Sequence, residues 1–183
     1  MTETKIPLGT RLGSMITDHF IMSIIMTVFL APMLINNITT KTEIKTINGS
    51  PMVETSSPFT YLVILGFTLY FCKDIFSGRS IAKRLLKLQI VSNSSNEIAT
   101  PTQCVIRNFF CIIWPVEVIF ILVNPARRLG DMVAGTKVIP FNNPGIHKID
   151  IVKIIISILL AFGMTFLVFY VISLANTQRL PTT

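Results

Sequence analysis

The feature that most constrains this chain is the grouping of its apolar residues into four long blocks separated by polar segments. A helix needs about 20 residues to cross a hydrocarbon core of about 30 Å, and the blocks approach that length. Hydrophobic residues make up 51% of the 183 residues and charged residues only 14%. Because the apolar residues are gathered in blocks and do not follow a helical or strand period, the sequence predicts an all-α polytopic membrane protein.

Three of the blocks are predicted to cross the membrane completely, at residues 12–35, 58–76 and 151–176. The last of them belongs to a C-terminal addition, residues 142–183, which follows a membrane domain of residues 1–141. Charged residues fall almost entirely outside the blocks, and no separate soluble domain is indicated.

The third block, residues 104–124, differs because Pro115 interrupts it and because it contains Arg107 and Glu117. Proline lacks a backbone donor and disfavours helical geometry at the preceding residue. The block therefore forms either a kinked full span or a re-entrant hairpin with two arms of about 15 Å each. Glu117 is expected to accept hydrogen bonds from donors that the break frees, or to titrate.

The distribution of basic residues favours the re-entrant interpretation. The loop after the second block carries five of them: Lys73, Arg79, Lys83, Arg84 and Lys87. Because basic loops resist translocation, this loop and the N-terminus are predicted to be cytoplasmic. A spanning third block would send Arg127, Arg128 and Lys137 to the opposite side, whereas a re-entrant block keeps them in the cytoplasm.

The same loop contains "SIAKRLLKLQIV", which predicts a short interfacial helix followed by a strand. A basic patch is expected to face anionic lipid or a protein partner, and it consists of Arg79, Lys83, Arg84 and Lys87. The β-branched segment "GTKVIPF" is expected to pair with "LQIV" as an antiparallel ribbon under the membrane.

Three polar residues of the first block share one helical face, because Arg11, Ser14 and Asp18 recur at spacings of three and four. Asp18 lies about 10 Å deeper than Arg11, so it must be paired, hydrated or protonated. It is interpreted as half of a buried ion pair, as a proton or cation site, or as a snorkelled charge. His19 points about 100° away and is interpreted as a polar interior residue.

Asp131 lies beside Arg127 and Arg128 in "RRLGDMVAGTKV", where Gly130 and Gly135 permit tight turns. It forms either a local salt bridge or, if the third block is re-entrant, an ion pair with Arg11.

Other classes of function find little support. The sequence lacks the usual nucleotide-binding, zinc-protease and serine-hydrolase motifs, so an enzyme and a cofactor are not expected. The net charge is +7, and the basic residues that produce it flank the apolar blocks. This position indicates membrane anchoring and not nucleic-acid binding. Cys72, Cys104 and Cys111 have no metal-ligand spacing and are interpreted as small buried hydrophobes.

Four groups of residues together resemble the RDD family of bacterial membrane proteins: Arg11 with Asp18, "SGRSIAKRLLKLQIV", "IRNFF" and "RRLGDMVAGTKVI". The family is named for an arginine and two aspartates, which correspond to Arg11, Asp18 and Asp131. The resemblance covers about residues 5–141, with Ala82 standing where a glycine is expected. It implies a bacterial inner-membrane protein, with transport of ions or small solutes and, in some members, cation/proton antiport.

Two functions follow as hypotheses. The first is a transporter of a small cation in exchange for protons, which at this chain length requires an oligomer. Its ion, proton or structural charge network is predicted to comprise Arg11, Asp18, Arg107, Glu117, Arg128 and Asp131. The second is a scaffold or assembly subunit that recruits a membrane-protein partner or anionic lipid at its basic face.

Overall fold

The computed structural model describes residues 6–39, 46–47, 50–51, 58–123, 127–141 and 150–177, which are mostly helical. The helices are α1 (Leu8–Thr39), α2 (Pro58–Phe71), α3 (Ile81–Leu85), α4 (Pro101–Phe109), α5 (Trp114–Val123), α6 (Leu129–Val133) and α7 (Ile151–Thr177), with a 3-10 helix at Phe110–Ile113. The strands are β1 (Thr46–Ile47), β2 (Ser50–Pro51), β3 (Leu88–Ser92) and β4 (Thr136–Pro140).

Two of the described helices are long and apolar enough to cross a membrane, namely Leu8–Asn36 within α1 and Ile151–Ala175 within α7. The predicted span at residues 58–76 is shorter, because α2 has only 14 residues, or about 21 Å of helix. Beyond α2 the chain turns, and Ser77 has the left-handed φ of 58°. The structure therefore contains helices of sufficient length for the first and last predicted spans, and the predicted span at residues 58–76 is not confirmed.

The third apolar block is bent by 105° between Pro101–Ile113 and Pro115–Val123. The bend falls at the proline, as the loss of its backbone donor predicts. The Nε2 atom of Gln103 donates to the carbonyl oxygen of Ala134 at 3.3 Å. The segments that precede and follow the block therefore lie side by side.

Strands β3 and β4 form the antiparallel ribbon that their composition predicts, with Leu88 opposite Pro140 and Ser92 opposite Thr136. Helix α3 leads into β3 and has only five residues. Its first turn is capped by Ser80, whose side chain accepts a hydrogen bond from the backbone of Lys83.

The apolar core lies between the helices, with Phe71 and Val105 fully buried. Helix α7 packs against α2 and α4, and α1 packs against α2. The short elements complete the fold, because α3 packs on α1 while α6 packs on α4 and α5. This arrangement brings the charged residues of five helices and one turn into contact.

Candidate functional site

Among the described residues, eight charged residues are buried, each with at most 6% of its surface exposed, and together they form what we call the charge network. Its basic members are Arg11, Lys83, Arg107 and Arg128, and its acidic members are Asp18, Asp74, Glu117 and Asp131. Four positive charges therefore balance four negative ones. Burial of an unpaired charge is costly, and the network accordingly consists of ion pairs.

Lys83 is the centre of the first half of the network. Its Nζ atom lies 2.6 Å from Oδ2 of Asp18 and 2.9 Å from Oδ1 of Asp74. It also donates to the hydroxyl of Ser80 at 3.1 Å. One ammonium group is thus held by three oxygen atoms that come from α1, from the turn after α2 and from the cap of α3.

Asp131 is the centre of the second half. Its Oδ1 atom lies 2.9 Å from Nε of Arg107 and 3.8 Å from Nε of Arg128. Its Oδ2 atom lies 3.3 Å from Nη2 of Arg11, and Thr136 donates its hydroxyl to Oδ1 at 3.3 Å. Burial opposes ionisation, but Arg107, Arg128 and Arg11 together hold the pKa of Asp131 below its ordinary value.

Glu117 is fully buried and joins α5 to the segment that follows it. Its Oε2 atom accepts from Nη1 of Arg128 at 3.2 Å, and its Oε1 atom accepts from the backbone of Gly130 at 3.2 Å. The sequence predicts that Glu117 accepts from backbone donors freed at Pro115, but its donors come from Arg128 and Gly130. Glu117 instead fixes the returning chain against the bent block.

Gly130 is required by close packing. A Cβ atom at this position would overlap the carbonyl oxygen of Arg107 and lie 2.8 Å from Oε1 of Glu117. The nearby Gly135 serves the turn, because it has a φ of +62°. The prediction that both glycines permit turns is therefore correct for Gly135 alone, while Gly130 allows α6 to approach α4.

A small cavity connects the two halves of the network. It measures about 20 Å³, which is room for about one water molecule. Lys83 of the first half and Asp131 of the second both line it.

The first-helix prediction places its residues correctly, since Arg11, Ser14 and Asp18 are all buried on one face of α1. His19 does not lie in the interior. It is exposed, with Nδ1 at 3.4 Å from the hydroxyl of Tyr70. The reason is the helical step of about 100°, which turns His19 outward when Asp18 faces inward.

The predicted basic patch is wrong in one member, because Lys83 is only 3% exposed and belongs to the charge network. Arg84 and Lys87 are exposed as predicted. Arg79 is half-buried, with its guanidinium group 3.7 Å from the ring centroid of Phe141. A helix of five residues has too few turns for its exposed face to be predicted from the sequence. In the structure the Lys83 side chain extends to Asp18 of α1.

Two residues of the site were missed by sequence reasoning. Asp74 has no role in the prediction from the sequence, although it is fully buried beside Lys83. Asn108 is also fully buried, and it accepts from Nη2 of Arg128 at 3.4 Å while donating to the carbonyl oxygen of Phe71 at 3.1 Å. The available signal was an amide next to Arg107 within an apolar block.

The cysteines add no further site. Cys104 and Cys111 are buried and Cys72 is partly buried, all with free thiols. Within the part of the chain that the structure describes, no group of three or more His, Cys, Asp or Glu side chains is arranged to bind a metal ion.

Comparison with known proteins gives one match. The family model described as the RDD family matches residues 6–180. No curated protein and no solved structure matches the chain significantly. The match extends past residue 141 and includes α7, which the motif-based resemblance had left outside. This membrane protein therefore belongs to the RDD family.

Proposed function

We propose that the protein exchanges a small monovalent cation, such as Na⁺, for protons at the cluster of Asp18, Asp74 and Lys83. The observation that carries this proposal is the single ammonium group held between two buried carboxylates and a hydroxyl. Oxygen ligands of this kind also suit a hard metal cation. The proposed role is transport, and the protein is assigned no chemical reaction.

Charge balance links the two ions. The charge network as a whole carries a net charge of zero. If a metal cation binds between Asp18 and Asp74, the network stays neutral only when Lys83 releases a proton. One cation then enters for each proton that leaves, because burial penalises any excess charge. Arg11 and Asp131 line the same cavity as Lys83 and are proposed to gate access to the cluster.

The proposed topology has a cytoplasmic N-terminus, a re-entrant third block and insertion in the bacterial inner membrane. The β3–β4 ribbon supports it, because two hydrogen-bonded strands must lie on the same side of a membrane. The hydrogen bond from Gln103 to Ala134 supports it further, since a complete span would separate its two ends by about 30 Å. A chain of this size is proposed to transport as a homo-oligomer.

The test uses purified protein in vesicles that contain a pH-sensitive dye. An imposed Na⁺ gradient should drive proton movement in the parent protein. Movement should be lost in Asp18→Asn and in Asp74→Asn and should persist in Glu97→Gln, a matched control because Glu97 is exposed. Absence of cation-driven proton movement in the folded parent would refute the proposal.

A second function, a membrane scaffold, is favoured by a different observation. The positive and negative charges of the network balance in ion pairs, so the network is sufficient to lock the helices together without any transported ion. Exposed Arg84 and Lys87 lie beside Ile81 and Leu85, which are 56% and 70% exposed. Such a surface suits anionic lipid headgroups or an acidic partner.

The scaffold predicts a stoichiometric protein or lipid partner that remains bound in mild detergent. Neutralising Arg84 and Lys87 together should release that partner. Lys153→Gln is the control and should not release it, because Lys153 is an exposed lysine of α7 outside the proposed surface. Recovery of the parent protein without any bound partner or anionic lipid would argue against this function.

A further inference from the structure

The cavity inside the charge network has an unusual lining for its size. Four of its residues are basic, namely Arg11, Lys83, Arg107 and Arg128, and they face a single carboxylate, that of Asp131. The other acidic members of the network do not line the cavity. The lining itself therefore carries more positive than negative groups, although the network as a whole is neutral.

The hydrogen-bonding capacity left over around the cavity is that of donors. Arg107 is only 2% exposed, and its Nη1 atom has no hydrogen-bond partner among the described residues. The Nε atom of Arg128, which is 3.8 Å from Asp131, also lacks one. Ser14 also lines the cavity, and a serine hydroxyl can donate. Buried donors of this kind normally have an acceptor.

An acceptor-only ligand fits this lining better than water does. A water molecule accepts from two donors but brings two donors of its own, which then need acceptors. Among the described residues, the buried side-chain acceptors without a hydrogen bond are the oxygens of Asp74, which form an ion pair with Lys83 and do not line the cavity. A monatomic anion accepts from every side and brings no donor.

We propose that this cavity binds one halide ion, such as chloride, with Arg107 as its principal ligand. The volume of about 20 Å³ is room for about one small species, which suits a single monatomic ion. The bound ion would connect Arg107 to Arg11 and Arg128 and would stabilise the packing of α1 against the bent block. This inference is independent of cation exchange, because it concerns a site next to the Asp18–Lys83–Asp74 cluster and holds equally for a scaffold.

The test measures chloride binding by the purified full-length protein in detergent, through the broadening of the chloride NMR signal. The parent protein should broaden the signal saturably, and bromide should compete. Its thermal unfolding temperature should be higher in sodium chloride than in sodium gluconate at equal ionic strength, since binding to the native state alone stabilises it. No saturable broadening, with equal unfolding temperatures, would mean that the cavity holds water.

Variants then locate the site. Arg107→Lys keeps a positive charge next to Asp131 but removes the Nη1 donor, so chloride affinity should fall about tenfold or more. Arg84→Gln should leave affinity unchanged, because Arg84 is exposed. If Arg107→Lys does not fold, Arg11→Lys provides the same comparison from another wall of the cavity. Equal chloride affinity in the parent and in the folded cavity variant would overturn the proposal.

Discussion

Nη2 of Arg11 lies 3.3 Å from Oδ2 of Asp131, although 120 residues separate them in the sequence. The contact joins α1 to α6, and Arg107 brings α4 to the same carboxylate at 2.9 Å. One buried carboxylate thus ties together three segments of the chain. Because an isolated charge is costly in this setting, each partner depends on the others for its burial.

The position of the ribbon predicts the topology of the chain. A reporter fused after Lys87 and one fused after Val138 should report the same side of the membrane, because β3 and β4 are paired strands. That side should be the cytoplasm, because the loop before β3 is rich in basic residues. Reporter activity and protease accessibility in intact cells provide the measurement. If position 138 alone were accessible from the periplasm, both the re-entrant block and the pairing of β3 with β4 would be contradicted.

Removal of the Lys83 charge should destabilise the protein strongly. Lys83→Gln leaves Asp18 and Asp74 buried without their common partner, and breaking a buried pair in this way costs about 3–5 kcal/mol. Arg84→Gln, one residue along and exposed, should change stability by less than about 0.5 kcal/mol. Denaturant unfolding in detergent compares the two variants, and similar stabilities would show that Lys83 is not a member of the network.

Substitution of Gly130 should be more harmful than substitution of a helical glycine with free space around it. The Cβ atom of Gly130→Ala would meet the carbonyl oxygen of Arg107, and overpacking of this kind costs about 1–3 kcal/mol. Gly163→Ala is the matched control, because nothing lies within 4 Å of its added Cβ atom. Thermal unfolding should show a lower midpoint for Gly130→Ala and an unchanged or raised midpoint for Gly163→Ala.

Asp131 should make the native state sensitive to acid. Its folded-state pKa is held below the ordinary value of 3.8, so its stabilisation is fully present above about pH 4 and is lost as pH falls through the folded-state pKa. Asp131→Asn should be less stable at neutral pH and should show a shallower loss of stability below pH 4.

The control for this pH dependence is Asp150→Asn, since Asp150 is exposed and forms its ion pair with Lys153. Hydrogen bonds from Lys153 also lower the pKa of Asp150, but solvent screens this exposed carboxylate, so the acid profile of Asp150→Asn should lie close to that of the parent. The measurement is the unfolding midpoint between pH 7 and pH 2. If the unfolding midpoint of Asp131→Asn fell with pH as steeply as that of the parent, Asp131 would not be a buried carboxylate with a lowered pKa.

The sequence alone determined the class of the protein and several local features. Blocks of apolar residues indicated membrane helices, Pro115 located the 105° bend, and the β-branched segments identified the ribbon. Helical spacing placed Arg11, Ser14 and Asp18 on one face. These features depend on neighbouring residues, on the missing donor of proline or on a regular period, all of which can be read along the chain.

The tertiary structure decided which charges meet. Residue spacing predicts that Lys83 lies at the surface and indicates no role for Asp74, yet the two form a buried pair at 2.9 Å. The apolar block predicts a span over residues 58–76, whereas helix α2 ends at Phe71, before the turn that carries Asp74. The physical reason is that a Coulomb interaction depends on distance and burial in space. Residue spacing shows that Asp18 needs a partner, but only the packing of α3 on α1 determines that the partner is Lys83.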